Sequence, residues 1–342
     1  MIPPGPILIA GCGAVGGYLA AHLQQRLGQE VLILEPWAAN REAIAAQGLR
    51  VEEPDETLTA RDLPVFHTPE ELAGRPLGLI VLCSKLFEAL PLVEALEAKA
   101  RYRGPYLATL NGLVDARIAD MVGPERVMGC IVTGFFGHLV APGLVRRHRR
   151  RDPGGAHPLF RIGEVAGPPS ERVQALAALL GQIDATEVVA DLPRARWTKL
   201  VFNAMTSPLA AVRGRPTRDL FLDPALRAEM TELAFEAVRV ASLAVTEIEK
   251  LCGVPGALWH AAANGEPAAR AALDQALVRY GEGISPTATS GMAQDLARGR
   301  PTEADWLNGA VVEEAEARGL EAPAHRAIIA RLKALSAAHR PG

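Results

Sequence analysis

The first half of the chain alternates between short, almost wholly apolar runs and longer segments in which apolar and polar residues are mixed. Short apolar runs of this kind are typical of strands that are buried on both faces of a sheet. They cover residues 7–10, 31–35, 77–84, 106–111 and 126–132. Helices are predicted between them, for example at 16–27 and 87–98, so the pattern indicates a doubly wound parallel sheet with helices on both faces.

The pattern changes near residue 192. Before this point come further strand-like pieces at 144–149, 159–162 and 187–190 and a predicted helix at 170–183. After it the periodicity is helical throughout. Predicted helices cover 194–212, 224–251, 266–282, 287–298, 303–318 and 323–337. We therefore predict an α/β N-terminal domain over residues 1–192 and an all-α C-terminal domain over residues 193–342, a division that also suits the length of the chain.

Composition narrows the classes of function. The 342 residues are 49% hydrophobic and 22% charged, with a net charge of −3. These values are typical of a globular protein and give no general reason to bind nucleic acid or an anionic membrane. No apolar run approaches the ~20 residues that span a bilayer, and the opening MIPPGPILIAGCG lacks the basic region of a signal peptide. We expect a cytoplasmic protein.

Cysteine and histidine give no sign of a metal site. The four cysteines, Cys12, Cys83, Cys130 and Cys252, have no C-x-x-C spacing, and the eight histidines form no H-E-x-x-H pattern. We expect reduced thiols and no bound metal.

Residues 146–151 are five arginines and one histidine. Such a run can mark a nucleic-acid patch, but no aromatic residues are interleaved with it and the chain as a whole is not basic. We interpret it as a solvated strand edge and turn that leads into Asp152-Pro153-Gly154-Gly155.

The segment GCGAVGG at residues 11–17 joins the first predicted strand to the first helix with G-x-G-x-x-G spacing. Gly11 permits a tight turn, Gly13 lets the backbone approach a pyrophosphate, and Gly16 allows close packing of helix on strand. The helix N-terminus, which begins with Ala14 and Val15, offers free N–H groups to the phosphates. An ordinary glycine-rich turn is the alternative, but the strand before, the helix after and an acid ending the next strand favour a Rossmann domain.

That acid is Glu35, and it bears on the choice of cofactor. A carboxylate at this position accepts hydrogen bonds from the adenosine ribose and repels a 2′-phosphate, which favours NAD over NADP. The alternative is a solvated strand-end acid, with Arg41 nearby to bind the phosphate of NADP.

Two segments of the helical half hold polar groups in apolar surroundings. Lys199, Asn203 and Ser207 are spaced i, i+4, i+8 and share one helix stripe, which is costly unless the stripe faces a cleft or partners. Further on come TSGMAQD at 289–295 and GRPTEADWLNG at 299–309. There Thr302 and Asp305 resemble a capping box that puts Glu303 in a helix's first turn, either as a functional group or as a complement to the helix dipole.

Taken in order, these motifs resemble those of the ketopantoate reductase (2-dehydropantoate 2-reductase) family. The match includes the glycine turn, Ser84-Lys85 after the third long strand and Asn111-Gly112 after the next one. It continues with W-x-K-L-x-x-N and T-E-x-D-x-L-N-G, so it extends from residue 7 to about residue 325.

The resemblance implies roles for particular residues. Lys199 would be the general acid that protonates the substrate carbonyl oxygen, and Glu303 would hydrogen-bond the substrate hydroxyls. The remaining assignments are Asn111 between nicotinamide and substrate, Lys85 beside the cofactor, and Asn203, Ser207 and Ser290 on the substrate. Substrate would bind in the cleft between the domains.

Three positions depart from the family pattern. Glu35 stands where arginine is common, which puts the family's NADP in doubt and again favours NAD. Ser207 stands where a second asparagine is common. Gly291 replaces a serine that helps hold the substrate carboxylate, and Ser290 would take its place only through a backbone shift.

We therefore predict an oxidoreductase that transfers a hydride between a nicotinamide cofactor and a 2-oxo acid/(R)-2-hydroxy acid pair, either 2-dehydropantoate and pantoate or a related pair. The alternatives are an NAD-dependent (R)-2-hydroxy acid dehydrogenase outside pantothenate synthesis and a non-catalytic dinucleotide-sensing protein. The expected partner is a small-molecule 2-oxo acid, and a homodimer is the candidate assembly.

Overall fold

The computed structural model describes residues 4–338 and divides them into two compact units. The first unit runs up to Leu110 and continues over Val114–Leu192. The second unit consists of Asn111–Leu113 and the chain from Pro193 onward. The predicted fold class, an α/β domain followed by a helical one, is confirmed.

Among residues 4–338, all twelve strands lie in the first unit. In chain order they are β1 (Ile7–Ala10), β2 (Val31–Leu34), β3 (Leu49–Glu52), β4 (Thr57–Ala60), β5 (Val65–Phe66), β6 (Leu79–Leu82), β7 (Tyr106–Ala108), β8 (Val127–Val132), β9 (Gly137–Ala141), β10 (Leu144–Arg147), β11 (Phe160–Glu164) and β12 (Thr186–Val188). Its α-helices are α1 (Ala14–Leu27), α2 (Ala38–Gln47), α3 (Leu86–Ala98), α4 (Val114–Val122) and α5 (Glu171–Gly181).

The larger sheet has the strand order β12-β11-β8-β7-β6-β1-β2-β5. Strand β1 lies inside it and pairs in parallel with both β2 and β6. The sheet is parallel as predicted except at one pairing, because β11 runs antiparallel to β8. Only β9 and β10 lie between these two strands in the chain, and a parallel connection would need a long crossover that is usually a helix.

A second sheet, β4-β3-β10-β9, was not predicted as a sheet. Its strands alternate between buried and exposed positions or are largely half-exposed, so they lack the continuous apolar runs that marked β1, β2 and β6. Helix α1 packs against both sheets, and its residues from Gly16 to Leu23 are buried without a break.

The basic run at 146–151 is paired with acids instead of being solvated throughout. Strand β10 lies parallel to β3 in a register that aligns Arg146 with Glu52, and these two side chains form an ion pair at 2.7 Å. Arg147 alternates to the inner face, where only 1% of its surface is exposed. There it contacts Asp184 at 2.5 Å and Glu53 at 3.4 Å. This pairing favours a structural role for the run over a nucleic-acid patch.

The second unit is built from helices: α6 (Leu192–Arg213), α7 (Thr217–Leu222), α8 (Pro224–Val245), α9 (Gly256–Ala263), α10 (Pro267–Glu282), α11 (Gly291–Ala297), α12 (Ala304–Ala317) and α13 (Pro323–Ala338). The predicted helix at 224–251 ends early because Thr246 adopts a φ of 58°. Within residues 4–338 no helix has both the length and the apolar character that crossing a membrane requires.

Candidate active site

The glycine turn follows β1 and its geometry requires glycine at two positions. Gly11 has a φ of 99°, and a Cβ there would stand 2.8 Å from the backbone nitrogen of Ser84. A Cβ on Gly16 would stand 2.0 Å from the carbonyl oxygen of Gly11. Both contacts lie far inside van der Waals distance, so the turn closes against itself and against the end of β6 only without side chains here.

Gly13 is different, because it has room. It is the N-cap of α1, has a φ of −74°, and offers no side-chain cap to the helix. No atom of the described residues outside its neighbours lies within 4 Å of where its Cβ would stand. The first N–H groups of α1, which starts at Ala14 and Val15, have no intrahelical acceptor. Open space beside such donors fits a dinucleotide pyrophosphate.

Glu35 follows β2 and is only 6% exposed, so its description as a solvated acid is wrong. Its Oε2 accepts hydrogen bonds from the Cys12 N–H at 3.0 Å and from Asn40 Nδ2 at 2.9 Å. Its Oε1 accepts from the Trp37 N–H at 2.9 Å. The carboxylate therefore holds the glycine turn to the start of α2. Sequence reasoning missed Asn40, which lies on a helix that was not predicted.

Two cations stand near this edge of the sheet. Arg41 Nη1 donates to the carbonyl oxygens of Glu35 at 3.2 Å and Pro36 at 3.3 Å. Lys85 follows β6 as the N-cap of α3, and its N–H donates to Glu88 at 3.3 Å. Since β6 is the neighbour of β1, Lys85 and the glycine turn lie at the carboxyl ends of adjacent strands.

In the second unit, Lys199 lies on α6 and is half-buried. Burial, with the positive charge of Arg196 as a second cause, lowers the pKa of its ammonium from 10.5 to about 8. Its Nζ lies 5.8 Å from the centroid of the Phe202 ring. Among residues 4–338 the ammonium has no hydrogen-bond or ion-pair partner. Sequence reasoning missed Arg196, although its place three residues before Lys199 was a signal.

Asn203 and Asn111 are brought together. Asn203 lies one turn after Lys199 on α6 and donates from Nδ2 to Asn111 Oδ1 at 3.3 Å. Asn203 is 8% exposed, whereas Asn111 is exposed. This contact joins two residues far apart in the chain that had been assigned to one site.

Ser207 and Ser290 also meet, but through the backbone. The Ser290 hydroxyl donates to the carbonyl oxygen of Ser207 at 3.2 Å and accepts from the Ala293 N–H at 3.1 Å, which caps α11. Because a serine has a single O–H donor, Ser290 would have to give up this bond before it could donate to a substrate.

Glu303 is the N-cap of α12, so the predicted capping box is wrong. The helix begins at Ala304, and Glu303 makes no side-chain cap bond. Its carbonyl oxygen instead accepts from the N–H groups of Trp306 and Leu307, each at 3.0 Å. Thr302 therefore lies one residue too early to cap. In the described part of the chain no cluster of His, Cys, Asp and Glu could hold a metal ion.

Comparison with protein families gives matches to both halves of the chain. The model described as "Ketopantoate reductase PanE/ApbA" matches residues 7–154. The model described as "Ketopantoate reductase PanE/ApbA C terminal" matches residues 191–336. A 2-dehydropantoate 2-reductase of Mesorhizobium japonicum is 28% identical over 352 residues, which covers 96% of this chain and 97% of that relative.

Solved structures with the same fold span almost the whole chain. A PanE/ApbA family ketopantoate reductase from Ralstonia eutropha aligns with a TM-score of 0.77 at 24% identity, covering 97% of this chain and 99% of that one. A D-mandelate dehydrogenase in complex with NADH and anilino(oxo)acetate aligns with a TM-score of 0.78 at 18% identity, with the same coverage. At these identities the likeness establishes the fold.

The glycine geometry yields a paired test of the cofactor site. We expect Gly13→Ala to lower the Tm much less than Gly16→Ala, because its added methyl meets open space and only the N-cap is weakened. It should raise the Kd for NADH by at least ~10-fold, because the methyl would stand where the backbone approaches the phosphates. Gly16→Ala should lower the Tm, because its methyl collides with the Gly11 carbonyl. Thermal melts and cofactor titrations on both variants check this. Unchanged cofactor affinity in Gly13→Ala would exclude the turn from the phosphate site.

Proposed function

The chain belongs to the ketopantoate reductase family, and on this premise we propose that it reduces a 2-oxo acid to an (R)-2-hydroxy acid, with Lys199 as general acid. Membership makes it an NAD(P)-dependent oxidoreductase acting on a CH–OH group, so the dinucleotide-sensing alternative falls away. A bound nicotinamide would supply the hydride to the carbonyl carbon.

The observation that carries the proposal is the environment of the Lys199 ammonium. An ammonium that is half-buried, has a pKa of about 8 and has no hydrogen-bond or ion-pair partner among residues 4–338 is available to a ligand. As the carbonyl becomes an alkoxide, such a cation stabilises the negative charge and delivers the proton. A pKa near the working pH suits a general acid, because the group is protonated yet gives up its proton readily.

The neighbouring polar groups have supporting roles in this proposal. Asn203 and Asn111, already joined by a hydrogen bond, would bind the substrate and, through Asn111, the nicotinamide. Glu303 would accept hydrogen bonds from substrate hydroxyls. Ser207 and Ser290 would border the substrate carboxylate. In the first unit, the glycine turn, Glu35 and Lys85 would bind the dinucleotide.

A second candidate is an NAD-dependent (R)-2-hydroxy acid dehydrogenase outside pantothenate synthesis. The observation in its favour is the empty space beside Gly291, whose Cβ would meet no described atom within 4 Å. Gly291 is exposed, and if it borders the bound substrate, its missing side chain would leave room for a substrate shaped differently from 2-dehydropantoate. The structural likeness to D-mandelate dehydrogenase is compatible with this second candidate.

The first test concerns the cofactor. We expect kcat/KM to be higher with NADH than with NADPH, because Glu35 puts a negative charge where a 2′-phosphate would lie. The difference should correspond to roughly 1–3 kcal/mol of transition-state stabilisation. Arg41→Gln should change kcat/KM with NADH by no more than about twofold relative to the wild type. Arg50→Gln, an exposed cation on β3, is the control. Glu35→Arg is unsuitable, since it would remove three internal hydrogen bonds. A wild-type preference for NADPH that Arg41→Gln abolishes would show that Arg41 binds the phosphate.

The second test concerns the substrate. We expect wild type to turn over some other 2-oxo acid with a higher kcat/KM than 2-dehydropantoate. The double variant Gly291→Ser/Ser207→Asn should have a higher kcat/KM for 2-dehydropantoate than the wild type. The gain should correspond to up to ~1–2 kcal/mol for each hydrogen bond gained. Kinetics over a panel of 2-oxo acids check this, with Gly291→Ala as the control that fills space without adding a donor. If 2-dehydropantoate is already the best substrate of the wild type, the second candidate is wrong.

The third test concerns Lys199. We expect Lys199→Ala to lower kcat by at least ~10²-fold, equivalent to ~3 kcal/mol, with little change in cofactor Kd. In the wild type, reduction should decline as the pH rises through about 8, where the ammonium loses its proton. Oxidation of the hydroxy acid should instead increase there, because the neutral amine then accepts a proton. Lys250→Ala, at an exposed position of the same unit, is the control. Near-normal turnover in Lys199→Ala would remove this residue from the mechanism.

A further inference from the structure

Pro208 interrupts the hydrogen bonding of α6. Proline has no backbone N–H, so the carbonyl oxygen of Ala204, four residues earlier, lacks its helical donor. Both residues are buried. A buried carbonyl without a partner is costly, and a donor from another part of the structure is therefore needed.

Asn308 on α12 supplies that donor. Its Nδ2 donates to the Ala204 carbonyl oxygen at 2.9 Å, and the side chain is wholly buried. The second N–H of the same amide is directed at Nδ1 of His325, at 3.0 Å. Both donors of the amide are thus used, and one of them joins α12 to α6.

His325 fixes the orientation of this amide. Its Nε2 lies 2.9 Å from the carbonyl oxygen of Leu233, which can only accept, so Nε2 carries the ring proton and Nδ1 accepts from Asn308. Burial lowers the pKa of His325 to about 4, and the ring is therefore neutral near pH 7. Its backbone N–H is in turn held by Glu236 at 3.1 Å.

The bond between Asn308 and Ala204 lies close, along both helices, to two residues of the proposed active site. Ala204 comes five residues after Lys199 on α6, and Asn308 comes five residues after Glu303, the N-cap of α12. At a rise of about 1.5 Å per residue, the bond lies ~7–8 Å along each axis from these two groups. A change in this contact would shift one group relative to the other.

We propose that Asn308 is a positioning residue that holds the Glu303 end of α12 in register with Lys199 on α6, by bonding the carbonyl that Pro208 leaves without a helical donor. The inference rests on the function proposed above for Lys199 and Glu303. The competing explanation is that Asn308 satisfies a buried carbonyl and stabilises the fold, with no effect on the site.

The two explanations separate because Pro208→Ala restores a helical donor to Ala204. Asn308→Ala alone should lower the Tm by roughly 3–8 °C, since it leaves a buried carbonyl without a partner. In the Pro208→Ala background, Asn308→Ala should lower the Tm by less than it does in the wild type, because the Ala204 carbonyl has a helical donor again while Nδ1 of His325 still lacks its partner. Asn264→Ala, at an exposed asparagine of the same unit, should match the wild type throughout.

Two further measurements on the double variant decide the matter. We expect kcat/KM for the best 2-oxo acid to stay at least ~10-fold below that of Pro208→Ala, because the cross-helix bond is still missing. Hydrogen exchange at the amides of Trp306 and Leu307, which bond Glu303, should also stay faster. If kcat/KM and the exchange rates in the double variant both equal those of Pro208→Ala, the proposal is wrong. If the wild type reduces no 2-oxo acid, the proposed function fails, while hydrogen exchange still decides the role of Asn308.

Discussion

The parallel pairing of β1 with both β2 and β6 is the constraint on which the first unit depends. Parallel neighbours end at the same edge of a sheet, so the segments after these three strands must lie side by side. This brings the glycine turn next to Glu35 on one side and to Cys83 and Ser84 on the other. Two consequences are visible at atomic distance: the Cys12 N–H bonds Glu35, and Gly11 has no room for a side chain.

Helix α6 has the corresponding place in the second unit. It carries Lys199 and Asn203, its backbone receives the Ser290 hydroxyl at Ser207, and its freed carbonyl at Ala204 receives Asn308. Each of these bonds links α6 to a different part of the chain. A proline in the middle of a helix is unfavourable in isolation, but here it exposes a carbonyl that a second helix can bind.

The sequence predicted those parts of the fold that have a strong local signal. Continuous apolar runs identified β1, β2 and β6, and the long helical pattern identified α6. Strands β3, β4 and β9 were missed because they have no continuous apolar run, and because the pairing of β3 with β10, which completes their sheet, joins residues distant in the chain. The motifs singled out Asn111 and Asn203, but not the bond between them. Asn40 and Asn308 were missed as contributors because their roles arise from backbone groups that only the folded chain brings close.

Glu35 shows how cofactor choice and local stability are linked in one side chain. Its two oxygens accept from three donors, two of them backbone N–H groups at Cys12 and Trp37. An arginine has five donors and no acceptor, so at this position it could satisfy none of these groups and would add a buried cation. The surrounding loop is therefore built around an anion. A change of preference toward NADP needs the loop to find other acceptors as well as a cation for the phosphate, and Arg41, already bonded to the Glu35 carbonyl, is the cation nearest to meeting the second need.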